Sequence, residues 1–136
     1  MDNRSLSHTK WNCKYHVVFA PKYRRKVFYN EKKEAIREII RTLCQWKGVE
    51  IIEGEVCPDH IHLLLDCKPQ FFISDMIKIM KGNLARQLFL SHPELKQELW
   101  GGHLWNPSYC AVTVSDRSRD LVVAYIEGQK EKEKRK

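Results

Sequence analysis

His60 and His62, inside "CPDHIHLLLD" (57–66), are separated by one residue in an otherwise apolar run. Side chains alternate along a strand, so both imidazoles would leave the same face, together with Leu64 and Asp66, while Ile61, Leu63 and Leu65 turn to the core. Two neutral imidazoles side by side can share a metal ion. HxH is a short pattern, however, and histidines on the open side of a sheet fit the spacing equally well. Two histidines do not fill a coordination shell, so a further ligand has to come from elsewhere. Asp59, Glu53 and Glu55 are the carboxylates nearest in sequence, and each reads first as a turn or surface residue.

Tyr125 and Gln129, in "AYIEGQ", are four residues apart and share a helical face. An activated tyrosine hydroxyl can attack phosphorus and form a covalent intermediate, and a glutamine carbonyl can ligate a metal. The competing reading is an amphipathic helix whose tyrosine packs on a sheet. Gly128 between them lowers helix propensity by about 1 kcal/mol relative to alanine. His8, His16, His92 and His103 receive no role, nor do Tyr15, Tyr23, Tyr29 and Tyr109, which have no neighbouring ligand pair.

A third feature is cationic. Lys22, Arg24, Arg25 and Lys26 cluster in "PKYRRK", and "WGGHLWNPSY" mixes aromatic and polar groups. Such mixtures suit phosphate contacts with stacking of unpaired bases, although a solvated loop and a packed aromatic turn around Trp105 explain them too. Lys78, Lys81 and Arg86 add positive charge further along.

The elements that must position these residues follow from periodicity. "NCKYHVVFA" alternates from Asn12, with Tyr15, Val17 and Phe19 on one face and His16, Val18 and Ala20 on the other, until Pro21 ends it. Residues 31–47 place Ile36, Ile39, Ile40 and Leu43 at helical spacing before Gly48. Residues 49–56 and 60–67 form a hairpin, and Ser74 is a candidate cap for a helix to about Leu90 with a stripe of Ile77, Met80, Leu84 and Leu88. An irregular stretch leads to a fourth strand at 109–115, and a last helix covers roughly 118–132. The order β, α, β, β, α, β, α predicts an α+β fold: a ferredoxin-like (split βαβ) antiparallel sheet with an added C-terminal helix carrying Tyr125.

The 136 residues, 43% hydrophobic, suit one domain over 1–136, with 1–10 loose and 131–136 a charged tail. A net charge of +7 favours a polyanionic partner, nucleic acid ahead of an anionic membrane surface. Five cysteines without CxxC spacing argue against a disulfide framework or a zinc ribbon and predict reduced core thiols. No apolar leader or membrane-spanning run is evident, so a cytoplasmic protein is expected.

Together these pieces resemble the single-tyrosine HUH transposases of insertion sequences of the 200/605 type. The likeness rests on "HTKWNCKYHVVFAPKYRRKVF", "GVEIIEGEVCPDHIHLLLD", "LWNPSY" and "YIEGQ", in order across nearly the whole chain. It implies a metal-dependent endonuclease and strand transferase acting on single-stranded DNA with hairpin ends. On that resemblance His60, His62 and Gln129 bind a divalent ion, Mg²⁺ or Mn²⁺, with zinc also tolerated by two imidazoles. Tyr125 attacks the scissile phosphate to leave a 5′-phosphotyrosine and a free 3′-hydroxyl. It further implies a homodimer whose tyrosine helix can serve the partner's histidines, and DNA contacts from Lys22, Arg24, Arg25 and Lys26. Two features depart from the pattern: Cys57 stands where cysteine is not characteristic, and "RDLVVA" before Tyr125 is unusually apolar. The alternatives are a non-catalytic single-stranded nucleic-acid-binding module with incidental histidines, and a domesticated nuclease that processes palindromes.

Overall fold

The computed structural model describes residues 13–69, 72–99, 103–115 and 117–135. The expected loose segment 1–10 and residues 100–102 of the aromatic turn lie outside these. Among the described residues the strands and α-helices follow in the order β1 (Cys13–Phe19), α1 (Asn30–Lys47), β2 (Glu50–Cys57), β3 (His60–Cys67), α2 (Ile73–Ser91), the short α3 (Glu94–Glu98), β4 (Cys110–Val114) and α4 (Arg119–Arg135), with a 3-10 turn at Lys22–Arg24 between β1 and α1. The strands form one antiparallel sheet in the order β2-β3-β1-β4. This is the split βαβ arrangement of the ferredoxin-like fold, with α4 added after β4.

Alternation in β1 and β3 sends Val17, Phe19, Ile61, Leu63 and Leu65 to one face of the sheet, where α1 and α2 cover them. α1 contributes Ile36, Ile40 and Leu43, and α2 contributes Met76, Ile77, Met80, Leu84 and Leu88, a stripe at helical spacing. α1 stops at Gly48, whose φ of 72° is the left-handed conformation that glycine adopts without a Cβ penalty. There the Gly48 and Val49 N–H groups donate to the carbonyls of Gln45 and Cys44, a Schellman closure.

The opposite face carries a smaller apolar cluster of Leu64, Val114 and Ile126, joined by Ile52, Val122 and Val123. The apolar stretch before Tyr125 thus has a structural cause: it seats α4 on the sheet. Two details differ from the sequence-based expectation. Ser74 lies within α2 rather than capping it, because the Phe72 carbonyl already accepts from the Asp75 and Met76 N–H groups and starts the helix earlier. The irregular stretch also contains α3, anchored by fully buried Leu95.

The segment between β1 and α1 is tied down on both sides. Lys22 N–H donates to the Leu104 carbonyl, Asn106 N–H to Ala20, and the Val27 and Phe28 N–H groups to Pro58 in the β2–β3 turn. The Trp105 ring packs on Phe19 and Phe28, and its Nε1–H donates to the Lys81 carbonyl. The chain between these anchors turns tightly enough to put Tyr23 and Arg24 at φ of 61° and 51°.

Candidate metal and tyrosine site

β3 delivers His60 and His62 to the face that α4 partly covers. Their Nε2 atoms stand 2.6 Å apart, with the rings nearly perpendicular at 79°. On the far side of His60, Nδ1 lies 2.6 Å from Asp59 Oδ1, a geometry in which an Nδ1–H donates to the carboxylate and directs Nε2 toward a metal. Arg24 approaches His60 Nδ1 at 3.2 Å and Asp59 Oδ2 at 3.5 Å. An Nδ1–H directed at Asp59 cannot also accept from Arg24, so the guanidinium acts there through its charge on Asp59. Burial raises the Asp59 pKa, but the His60 hydrogen bond and the charges of His60 and Arg24 outweigh it and leave the carboxyl below its usual range.

His62 is 4% exposed. Burial first, then the neighbouring charges of His60, His16 and Arg24, bring its pKa down to about 4, so at neutral pH the ring is an uncharged donor. Its Nδ1 is 3.4 Å from Nε2 of His16, whose ring lies nearly parallel at 13° and whose own pKa is lowered by burial. If His62 gives its Nδ1 proton to His16, its Nε2 also carries a lone pair. Two Nε2 lone pairs facing each other at 2.6 Å repel unless a cation or proton lies between them. This donor set fits a divalent ion.

α4 brings the tyrosine. The Tyr125 ring meets His62 edge-on, with centroids 5.6 Å apart, and meets His16 at 6.0 Å; half of the side chain stays exposed. The next residue, Ile126, is fully buried against Leu64 and Val114, which fixes the helix beneath the tyrosine. One turn on, Gln129 lines a cavity of about 650 Å³ together with His60, Asp59, Arg24, Lys26 and Lys33. Lys130 then pins the helix to β2 by a 2.8 Å bond to Glu53.

The fold therefore brings His60, His62 and Tyr125 into contact, and Gln129 onto the same cavity as His60. Of the four predicted DNA-binding cations, Arg24 and Lys26 border that cavity, whereas Lys22 lies beside the Tyr23 ring and Arg25 is half-buried away from the lining. Glu53 and Glu55 do not face open solvent as expected: Glu53 holds Lys130, and buried Glu55 pairs with Lys33 and Arg37. Asp59 supports His60 and is more than a turn residue. His16 is the neighbour that sequence reasoning passed over. Its place on the non-core face of β1 was legible, but the register that sets Val18 opposite His62 was not.

Residues 9–129 match the family described as "Transposase IS200 like".

The chain belongs to this family of IS200-like transposases.

It is 45% identical to ISDra2 transposase TnpA of Deinococcus radiodurans over 123 residues, covering 90% of this chain and 88% of that protein. It is 43% identical to the transposase for insertion sequence element IS200 of Salmonella typhimurium, over 98% of this chain and 87% of the relative. A solved Deinococcus radiodurans structure described as a transposase candidate superposes with a TM-score of 0.70 at 45% identity, over 85% of this chain and 89% of that one. A REP-associated tyrosine transposase bound to a REP hairpin shares the fold alone, with a TM-score of 0.67 at 16% identity, over 85% of this chain and 65% of the other. As an IS200-like transposase the chain is a DNA transposase of the single-tyrosine HUH class. No helix among its described residues is long and apolar enough to cross a membrane.

Proposed function

We propose that this transposase cuts and rejoins single-stranded DNA at hairpin-marked element ends through Tyr125, with a divalent ion held by His60, His62 and Gln129. The observation that carries the reading is the contact of the Tyr125 ring with His62, whose Nε2 faces that of His60 at 2.6 Å. Oxygen from Gln129 and from phosphate favours Mg²⁺ or Mn²⁺ as the ion. When bound, it supplies positive charge to the phosphoryl oxygens and orients the leaving group.

The protein's own groups do the rest. Tyr125 Oη forms the new bond to phosphorus while the bond to the 3′-oxygen breaks. The phenolic proton leaves to solvent on the exposed side of the ring, and the 3′-oxygen takes up a proton as it departs. The 5′-phosphotyrosine keeps the energy of the broken bond, so another strand's 3′-hydroxyl can reverse the attack and join ends without ATP. Arg24 and Lys26, bordering the cavity beside His60, support contacts to DNA phosphates. Lys22 and Arg25 belong to the same segment and would extend that contact.

α4 rests on its own chain's sheet, which favours cleavage within a subunit. A homodimer is supported by β4, an edge strand that pairs only with β1 among the described residues and exposes Val112, with exposed Tyr109 just before it. Exchange of α4 between subunits of such a dimer would place Tyr125 over the partner's histidines.

The test is Mn²⁺-dependent cleavage of a labelled single strand with a hairpin. His60→Ala and His62→Ala are each expected to lower cleavage at least about 100-fold while leaving hairpin binding within a few-fold. Binding without any cleavage in Mg²⁺ or Mn²⁺ would favour the non-catalytic module instead. On the same strand, Arg24→Ala with Lys26→Ala is expected to flatten the dependence of log affinity on log salt by about 0.7 per lost phosphate contact. An unchanged slope would remove these two residues from the DNA interface.

A further inference from the structure

Cys57 ends β2 directly across from His60 in the antiparallel register, so the two side chains leave the sheet on the same face. One donor atom from each of Cys57, His60 and His62 lies within 4.8 Å of the other two. Cys57 is fully buried, and the turn that joins it to His60 is held by the Val27 and Phe28 N–H groups, which donate to the Pro58 carbonyl at 3.0 and 3.1 Å. The sulfur therefore belongs to the same rigid hairpin as the imidazoles.

We propose that Cys57 acts with His60 and His62 as a three-ligand site for a thiophilic divalent ion of the zinc class. One thiolate and two imidazoles with a fourth position open is a tetrahedral donor set that zinc and cobalt accept readily, whereas Mg²⁺ prefers six oxygens. As the metal–sulfur bond forms, the thiol proton passes to solvent, and nothing is oxidised or reduced. The oxygen-preferring ion of the proposed reaction uses the same two histidines with Gln129, so the two modes exclude each other. That competition rests on the proposed function; the Cys57 site itself does not.

The test is titration of the metal-free full-length protein with Co²⁺, read by absorption. A thiolate-to-cobalt charge-transfer band in the near ultraviolet is expected at one equivalent. It should vanish in Cys57→Ser and Cys57→Ala and persist in Cys110→Ser, which alters an exposed thiol. Zinc affinity, by competition with a chromophoric chelator, should fall in the Cys57 variants by more than the roughly 10–100-fold that loss of an outer-shell partner costs. X-ray absorption of the zinc-loaded unaltered protein, which needs no variant to fold, should show one sulfur at about 2.3 Å with nitrogen neighbours. A band unchanged by Cys57→Ser, or zinc surrounded only by nitrogen and oxygen, would overturn the proposal. A sulfur ligand in a protein that forms no DNA adduct would keep this site and defeat the transposition chemistry. An adduct formed with Mn²⁺ beside sulfur-free zinc would do the reverse.

Discussion

Asp59 accepts the hydrogen bond from Nδ1 of His60, His16 stands behind Nδ1 of His62, and the two Nε2 atoms face one another. This outer layer of partners was the part of the site least visible in the sequence. The histidine pair and the tyrosine stood out as candidates by residue type and spacing, and the family resemblance was what selected them over surface histidines and a packed tyrosine. Asp59 looked like a turn residue, and His16 one more histidine, because a partner across strands depends on register, which composition does not encode. The same burial sets a pH response. With a folded pKa of about 4 against an ordinary 6.5, His62 takes up its proton later than the unfolded chain does as pH falls. Its contribution to stability is therefore complete above the ordinary value and is lost between there and about 4, by on the order of 3 kcal/mol. His16, lowered by burial, acts in the same direction. The urea midpoint of the metal-free protein should fall steadily through that window; a midpoint independent of pH there would contradict this environment for His62.

At the scale of elements, α4 decides whether the tyrosine reaches the histidines. Ile126, adjacent to Tyr125 and without exposed surface, fills the gap between Leu64 and Val114. Ile126→Ala should cost about 2–4 kcal/mol in urea unfolding and reduce adduct formation, since it loosens the base of the reactive face. The Lys130–Glu53 pair is partly exposed and holds less, within about 1 kcal/mol. A substitution at Ile126 that left both unfolding and adduct formation unchanged would show that α4 is not seated in this way. The strands and main helices were legible because their apolar periods of two and 3.6 residues are long and uninterrupted. Helix ends and α3 were harder to read. α2 begins on the Phe72 carbonyl without a side-chain cap, and α3 is one short turn-like helix held by Leu95. Neither leaves a mark stronger than the surrounding turn residues.

Among the described residues the sheet has one covered and one half-open face, and the second holds the proposed site. The edge strand β4 gives the proposed dimer a specific test. Val112, 54% exposed in the middle of that strand, when changed to lysine should turn a dimer into a monomer in sedimentation while the chain stays folded. A Val112→Lys protein that still sediments as a dimer would move the interface elsewhere. The net charge of +7 was informative about the class of partner, but it did not locate the contact. The fold sets Arg24 and Lys26 of the basic segment on the cavity beside His60, which is why the proposed contact centres on them. The central claim is that Tyr125 carries the DNA between cutting and joining. It is tested most directly by incubating the protein and its Tyr125→Phe variant with a hairpin strand labelled on the 3′ side of the scissile phosphate and Mn²⁺, then resolving the products under denaturing conditions. A labelled protein–DNA band should form with the unaltered chain and be absent from the variant, while the variant still binds the hairpin. Cleavage or a covalent band that persists in Tyr125→Phe would contradict the account.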